Sequence, residues 1–388
     1  MVNKKRLISL TQRLIKINSE NPPGNESQIA CFIREYLKNL GLKTRIYEFK
    51  NRRSSVVAHL LGRDSTHSLL ISPHLDTVPA GKSWKMNPFA GKIKKDRIYG
   101  LGATDCKGNL ACALEAINSI MEEKTVLGYN LIFAATADEE TGSNLGLIPL
   151  LDKKILKPDA AVVLDSDNFE IIITQKGLIH LKVKIGGKRA HGAYPERGIN
   201  AIDIAMDIIR EIKAHRFSYS KNTYLRPPTV NIGTIKGGDK VNVVADWCEF
   251  ELDFRFLPGS QAEEVLKDIK GIIQKCAKKF FRHGSIPQNA LNIEIEGIQE
   301  PYSISKTHPL VAYLKKAMHR SKVKPIIKGS EGATVMTFFQ HKRIPALACG
   351  FGSSGCAHTA DEYVKIDNLY KGAFVLQEFL KIYKFNDK

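Results

Sequence analysis

The stretch L-L-I-S-P-H-L-D-T-V-P, residues 69–79, runs from an unbroken apolar segment into a histidine and an aspartate two positions apart. A short apolar run that stops on polar, proline-flanked sequence reads as a buried strand. In open α/β sheets ligands gather beyond the carboxyl ends of such strands, so His74 and Asp76 stand where a site is expected. If the strand continues, residues two apart share a side. Asp76 then stands behind His74 as the carboxylate that orients an imidazole on a metal.

The same reading repeats outward from this stretch. Helix-like spacing covers 4–17 and 26–40, strand-like runs cover 44–47 and 55–61, and a long helix is predicted at 108–123. The apolar run 130–135 ends just before Asp138-Glu139-Glu140, and the run 160–164 ends at Asp165. Strands alternating with helices predict an α/β chain built on a mostly parallel, helix-covered sheet. Glu139 and Glu140 are adjacent and diverge in a strand, so one can bind metal while the other handles a proton.

At about residue 178 the order becomes strand (178–185), helix (201–212), strand (229–235), strand (248–256), helix (261–280), strand (291–295). This β-α-β-β-α-β succession is that of a ferredoxin-like unit, complete in itself. After residue 299 helices at 308–319 and 368–384 surround the apolar segment 344–350. The expectation is a catalytic unit formed by 1–177 and 296–388, with 178–295 inserted as a smaller α+β domain.

Five side chains of metal-ligand type lie in order, each in its own short motif. His74 is in the quoted stretch, Asp105 in G-A-T-D-C-K-G (102–108), and Glu140 in D-E-E-T-G (138–142). Asp165 is in V-V-L-D-S-D (162–167) and His358 in G-C-A-H-T-A-D-E-Y (355–363). A catalytic zinc takes about three protein ligands and keeps a position open for water. Two ions need six contacts, and five residues supply them if one carboxylate bridges ions roughly 3.5–4 Å apart. His180, His283 and His341 belong to no such motif and are read as non-ligands.

Composition narrows the remaining classes. The seven cysteines are an odd number without C-x-x-C spacing, which argues against a disulfide framework and a thiolate zinc site. Lys and Arg number 58 against 40 Asp and Glu, a net charge of +18. The basic residues are dispersed, with clusters no longer than Lys4-Lys5-Arg6, and no aromatic-interleaved RNA motif accompanies them. A solvated basic surface is expected, with no nucleic-acid partner. No stretch approaches the roughly 18 apolar residues of a membrane span, and the N-terminal charges are too closely spaced for a signal peptide. The expected location is the cytoplasm.

These motifs together resemble a family of zinc-dependent deacylases and exopeptidases. It contains acetylornithine deacetylase, succinyl-diaminopimelate desuccinylase and related carboxypeptidases and dipeptidases. The resemblance begins at S-E-N-P-P-G-N-E (19–26), continues through K-R-A-H-G-A-Y-P-E-R-G-I-N-A-I (188–202), and ends at A-H-T-A-D-E-Y-V (357–364). It implies that Asp105 bridges two zinc ions, Co2+ being a possible substitute, with His74 and Asp165 completing one and Glu140 and His358 the other. It further implies a cis peptide after Asp105, Glu139 as general base, and an inserted domain that mediates a homodimer and closes over the site. His191 is then an oxyanion contact delivered by the partner subunit. Asn242 in G-G-D-K-V-N-V-V, Arg255 in E-L-D-F-R-F-L-P-G and Gly332 in E-G-A-T are implied substrate contacts.

The implied reaction is amide hydrolysis of a small N-acyl amino acid, of deacetylase or desuccinylase type, or of a short peptide. A metal-dependent dipeptidase or aminopeptidase is the alternative. Two departures stand out: Val335 and Thr337 occupy positions where many relatives carry Asp and Arg, and Asp165 replaces the Glu usual in the deacylases. Asp at that place is familiar in dipeptidase and aminopeptidase relatives.

Overall fold

The computed structural model describes residues 1–64, 66–281 and 284–385, so His283 lies outside the described residues. The chain divides into two compact units. The first takes Met1–Ile173, Ile304–Lys328 and the chain from Phe338 onward; the second takes Thr174–Ser303 and Gly329–Thr337.

The first unit is an α/β fold. Its sheet runs in the order Lys43–Lys50, Arg53–Leu60, Asn130–Ala135, Ser68–Ser72, Ala160–Val163, Ala346–Cys349, Glu170–Gln175, the last strand continuing into the second unit. The centre is parallel: Ser68–Ser72 pairs in parallel with both Asn130–Ala135 and Ala160–Val163, and Ala346–Cys349 pairs in parallel with Ala160–Val163. Antiparallel strands flank it. The central strands are almost wholly buried, as continuous apolar runs require when both faces are covered.

The helix Lys107–Glu122 packs against both Lys4–Lys16 and Ile366–Ile382, and it is buried from Lys107 through Ile120. Its small residues permit this. A Cβ on Gly108 would fall 2.3 Å from the Ala103 carbonyl oxygen, so only glycine allows the loop that precedes the helix to approach so closely. Arg6 on the first helix ties it down, its Nε 2.7 Å from the buried Glu115 carboxylate.

The second unit holds an antiparallel sheet in the order Thr229–Gly237, Trp247–Phe256, Gly177–Gly186, Leu291–Gln299. With helices Ala201–Ala214 and Ala262–Lys278 this is the β-α-β-β-α-β arrangement. Alternation builds its core: Ile179, Leu181, Val183 and Ile185 meet Phe250, Leu252, Phe254, Ile204, Ile208 and Ile269 in one buried cluster. The other face carries cross-strand pairs such as Lys182 with Glu251 and Lys184 with Glu294.

All seven cysteines are unpaired, six of them buried. Among the described residues no helix is long and apolar enough to cross a membrane.

Candidate metal centre

Three adjacent parallel strands deliver ligand-type side chains from their carboxyl ends. His74 follows Ser68–Ser72, Glu139 and Glu140 follow Asn130–Ala135, and Asp165 follows Ala160–Val163. Asp105 precedes the helix Lys107–Glu122, and His358 stands on the loop between Ala346–Cys349 and Tyr363–Lys365. The Asp105–Cys106 peptide is cis, the geometry that the family resemblance implies.

The Asp105 carboxylate faces two imidazoles at once. His74 Nε2 lies 2.9 Å from its Oδ1, and His358 Nε2 lies 3.0 Å from its Oδ2 and 3.2 Å from Glu140 Oε2. Two sets of three result: His74, Asp105 and Asp165, and Asp105, Glu140 and His358. Within each set the ligand atoms lie within 4.8 Å of one another.

Divalent cations fit these residues on two further counts. Among the described residues Glu140 Oε1 is buried without a hydrogen-bond partner, a state that is costly for a carboxylate oxygen unless something else satisfies it. The carboxyl groups are also crowded. Burial, and then the charge of Asp105, push Asp165 up to about 6. Burial alone would raise Asp105 too, but hydrogen bonds with His358 and His74 outweigh it and hold that carboxyl below its usual range. The bonds to Asp105 and Glu140 push His358 up to about 10. These close imidazole–carboxylate contacts are ones that a divalent cation held by the same nitrogen and oxygen atoms would replace.

Asp76 lies behind His74, though past the end of the strand. The strand ends at Ser72, and the acceptor nearest His74 Nδ1 is the Asp76 main-chain oxygen at 3.0 Å, with the carboxylate at 3.6 Å. The fully buried carboxylate also accepts the backbone N–H groups of Glu139 and Glu140, each at 3.1 Å. Those two glutamates do not diverge along a strand either. Asp138 adopts a left-handed conformation (φ 67°), which ends extended structure, and residues 139–141 form a 3-10 turn.

Glu362 is a buried carboxylate that the residue-by-residue reading passed over, although it lies in the quoted A-H-T-A-D-E-Y-V. It accepts N–H groups from Gly102 (2.9 Å), Thr104 (2.7 Å) and Asp105 (3.0 Å). One side chain from the His358 loop thereby fixes the Asp105 loop. In Glu362→Gln an amide N–H must face the Gly102 or the Thr104 and Asp105 donors, leaving at least one buried donor unmatched. Unfolding free energy of the metal-free chain, read from urea denaturation, is expected to fall by about 1–3 kcal/mol.

His191 and Asn242 lie in the second unit, exposed and near each other: His191 bridges Val243, and Gly192 N–H donates to the Asn242 carbonyl at 2.8 Å. Arg255 is half-buried and forks onto Asp253, with Nε to Oδ1 at 2.7 Å. Gly332 sits on an exposed loop where a Cβ would come no nearer than 3.6 Å to Ser330 Oγ. Lys176 holds that loop through Glu331 at 2.7 Å, and Gln175 through Thr334. Val335 and Thr337 are buried, and the Thr337 hydroxyl has no hydrogen-bond partner among the described residues.

The model of peptidase family M20/M25/M40 matches residues 70–382. A protein of Methanococcus maripaludis described as an uncharacterized metallohydrolase is 31% identical over 419 residues, covering 96% of this chain and 98% of its own. Among solved structures, aminopeptidase PepT from Bacillus cereus superposes with a TM-score of 0.81 at 22% identity, over 98% of each chain. A tripeptidase from Staphylococcus aureus gives 0.81 at 24% identity over 99% of each. The chain belongs to peptidase family M20/M25/M40, and it is a metal-dependent hydrolase of amides or peptides.

Proposed function

We propose that this chain hydrolyses the amide bond of a small N-acyl amino acid or short peptide with two zinc ions, Co2+ serving as a substitute. The observation that carries this reading is Asp105, whose two oxygens face His74 and His358 and which belongs to both three-residue sets. His74, Asp105 and Asp165 hold one ion, and Asp105, Glu140 and His358 hold the other. Ions held there supply Lewis acidity, which polarises a carbonyl and makes water acidic near neutral pH.

Glu139 is the proton carrier in this proposal. It follows Asp138 on the same turn as Glu140 and belongs to neither ligand set, so its carboxylate remains available to take a proton from water and return it to the departing amine. Asp76 holds the amides of both glutamates and thus the direction of each. His191 of the partner subunit steadies the oxyanion, and Arg255 and Asn242 bind the substrate's carboxylate or acyl end, Arg by paired hydrogen bonds. Gly332 lets main chain approach the ligand. The second unit serves as the dimerisation and lid domain of a cytoplasmic homodimer, in keeping with seven unpaired thiols.

A panel of N-acetyl and N-succinyl amino acids, dipeptides and tripeptides, offered to the Zn2+- and Co2+-loaded protein, tests this. Release of acetate or succinate identifies a deacylase. Free amino acids from peptides alone identify a dipeptidase or aminopeptidase, to which Asp165 inclines. Protein that binds two ions yet cleaves nothing on the panel overturns the proposal.

A further inference from the structure

Metal ligation and proton transfer leave the motif S-E-N-P-P-G-N-E (19–26) without a task, yet it lies directly against the turn that carries Glu139 and Glu140. Asn21 is 3% exposed; its Nδ2 donates to Asp76 Oδ2 at 2.8 Å and to Thr141 Oγ1 at 3.0 Å, and lies 3.4 Å from Asp138 Oδ1. Asp76 passes that contact on, since its two oxygens accept the amides of Glu139 and Glu140.

A second branch starts at Glu26, which is fully buried. Arg53 forks onto it, Nε to Oε2 at 2.8 Å and Nη2 to Oε1 at 2.8 Å, and the same Nη2 reaches Asp138 Oδ1 at 2.7 Å. Glu26 Oε1 also accepts the Asp138 N–H at 3.2 Å. The Asp138 carboxylate then closes the turn by accepting from the Thr141 hydroxyl at 2.5 Å and the Leu145 N–H at 2.9 Å. Gly24 makes room for the fork: with φ at +80°, its added Cβ would fall 2.4 Å from Arg53 Cζ.

Stability alone does not account for this arrangement. One guanidinium is buried among the carboxylates of Glu26, Asp138 and Asp76, and buried ionic groups of this kind are often replaceable by apolar residues at no loss of stability. What the network does fix is direction, because both of its branches converge on Asp138, Asp76 and the 139–141 turn.

We propose that Asn21, Glu26 and Arg53 form a positioning brace that sets the aim of Glu139 and Glu140, one toward the proton and the other toward the His358 ligand set. These are positioning residues, acting through Asp76 and Asp138, and the inference rests on the two-metal hydrolase reading.

Asn21→Ala removes one branch and Arg53→Lys the other, since an ammonium keeps the charge but lacks the planar fork that spans two carboxylates. Each variant, loaded with Co2+, is expected to bind two ions per chain with an altered visible d–d spectrum. For each, kcat is expected to fall about 10–100-fold, the effect typical of losing an outer partner of a metal site. KM is expected to stay within about threefold, because no substrate-binding contact is removed.

Wild-type protein that takes up no metal and cleaves nothing sinks the hydrolase reading and the brace with it. Wild-type protein that does both, beside variants with unchanged spectra and kcat within about twofold, sinks the brace alone. A kcat loss that disappears on cooling below the variants' lowered melting temperatures also overturns it, since that marks mere destabilisation. If Asn21→Ala does not accumulate folded, Arg53→Lys decides on the same readings.

Discussion

Glu139→Ala is expected to lower turnover by about 10²–10⁴-fold while the protein still binds two metal ions. The separation of these effects follows from the local geometry. Glu140 belongs to a ligand set with Asp105 and His358, and Glu139, one residue earlier on the same turn, belongs to none. In the chain without cations, burial first and then the charges of Asp165, Glu140 and Asp105 hold the Glu139 carboxyl well above the usual range. Glu139→Gln keeps the shape and removes the basicity, so it should match the alanine variant in kcat. Metal analysis of the dialysed variants, set beside initial rates on the best panel substrate, checks both halves. Near-wild-type turnover in the glutamine variant would exclude Glu139 as the base, and loss of metal would show that it is a ligand.

How far such a site can be read before folding depends on what kind of signal each residue gives. His74, Glu140 and Asp165 were legible because each follows a short apolar run, and a run of four to six buried residues can be recognised locally. The inserted unit was legible for a related reason: alternation at Ile179, Leu181, Val183 and Ile185 records one buried face. The three-residue strand Tyr363–Lys365 has no local signal, since it exists through partners distant in sequence, as Tyr363 pairs with Tyr99, whereas Glu170–Gln175, as long as Asn130–Ala135, does carry a local apolar run.

Other features were out of reach because they depend on a single conformation or a single contact. The left-handed Asp138, which turns the strand exit into a 3-10 turn, has no periodic signature. Glu362 likewise is one acid in a polar loop, and its three amide partners lie some 260 residues away. The motif at 19–26 was visible as a motif, but its contacts with Arg53, Asp76 and Asp138 exist only after folding.

Asp105→Ala is expected to remove both metal ions together, whereas His358→Ala should remove one. The two sets of three share Asp105 and nothing else. Without it, His74 and Asp165 remain on one side and Glu140 and His358 on the other. Two donors fall short of the three protein ligands that a catalytic zinc site usually has. Affinity on both sides should therefore drop by more than about 100-fold, beyond the 10–100-fold typical of losing an outer partner. In His358→Ala the set His74, Asp105 and Asp165 remains whole, and one ion per chain should persist with little turnover.

A thermal reading separates the variants independently of activity. At free metal about 100 times Kd, one bound ion stabilises the folded chain by about 2.7 kcal/mol. The metal-dependent rise in melting temperature should thus be largest in wild type, reduced in His358→Ala, and absent in Asp105→Ala at the same metal concentration. Competition with a chelator gives the stoichiometries directly. Two ions retained by Asp105→Ala would mean that the carboxylate facing both imidazoles bridges nothing. Loss of both ions from His358→Ala would mean that the two positions fill only as a pair.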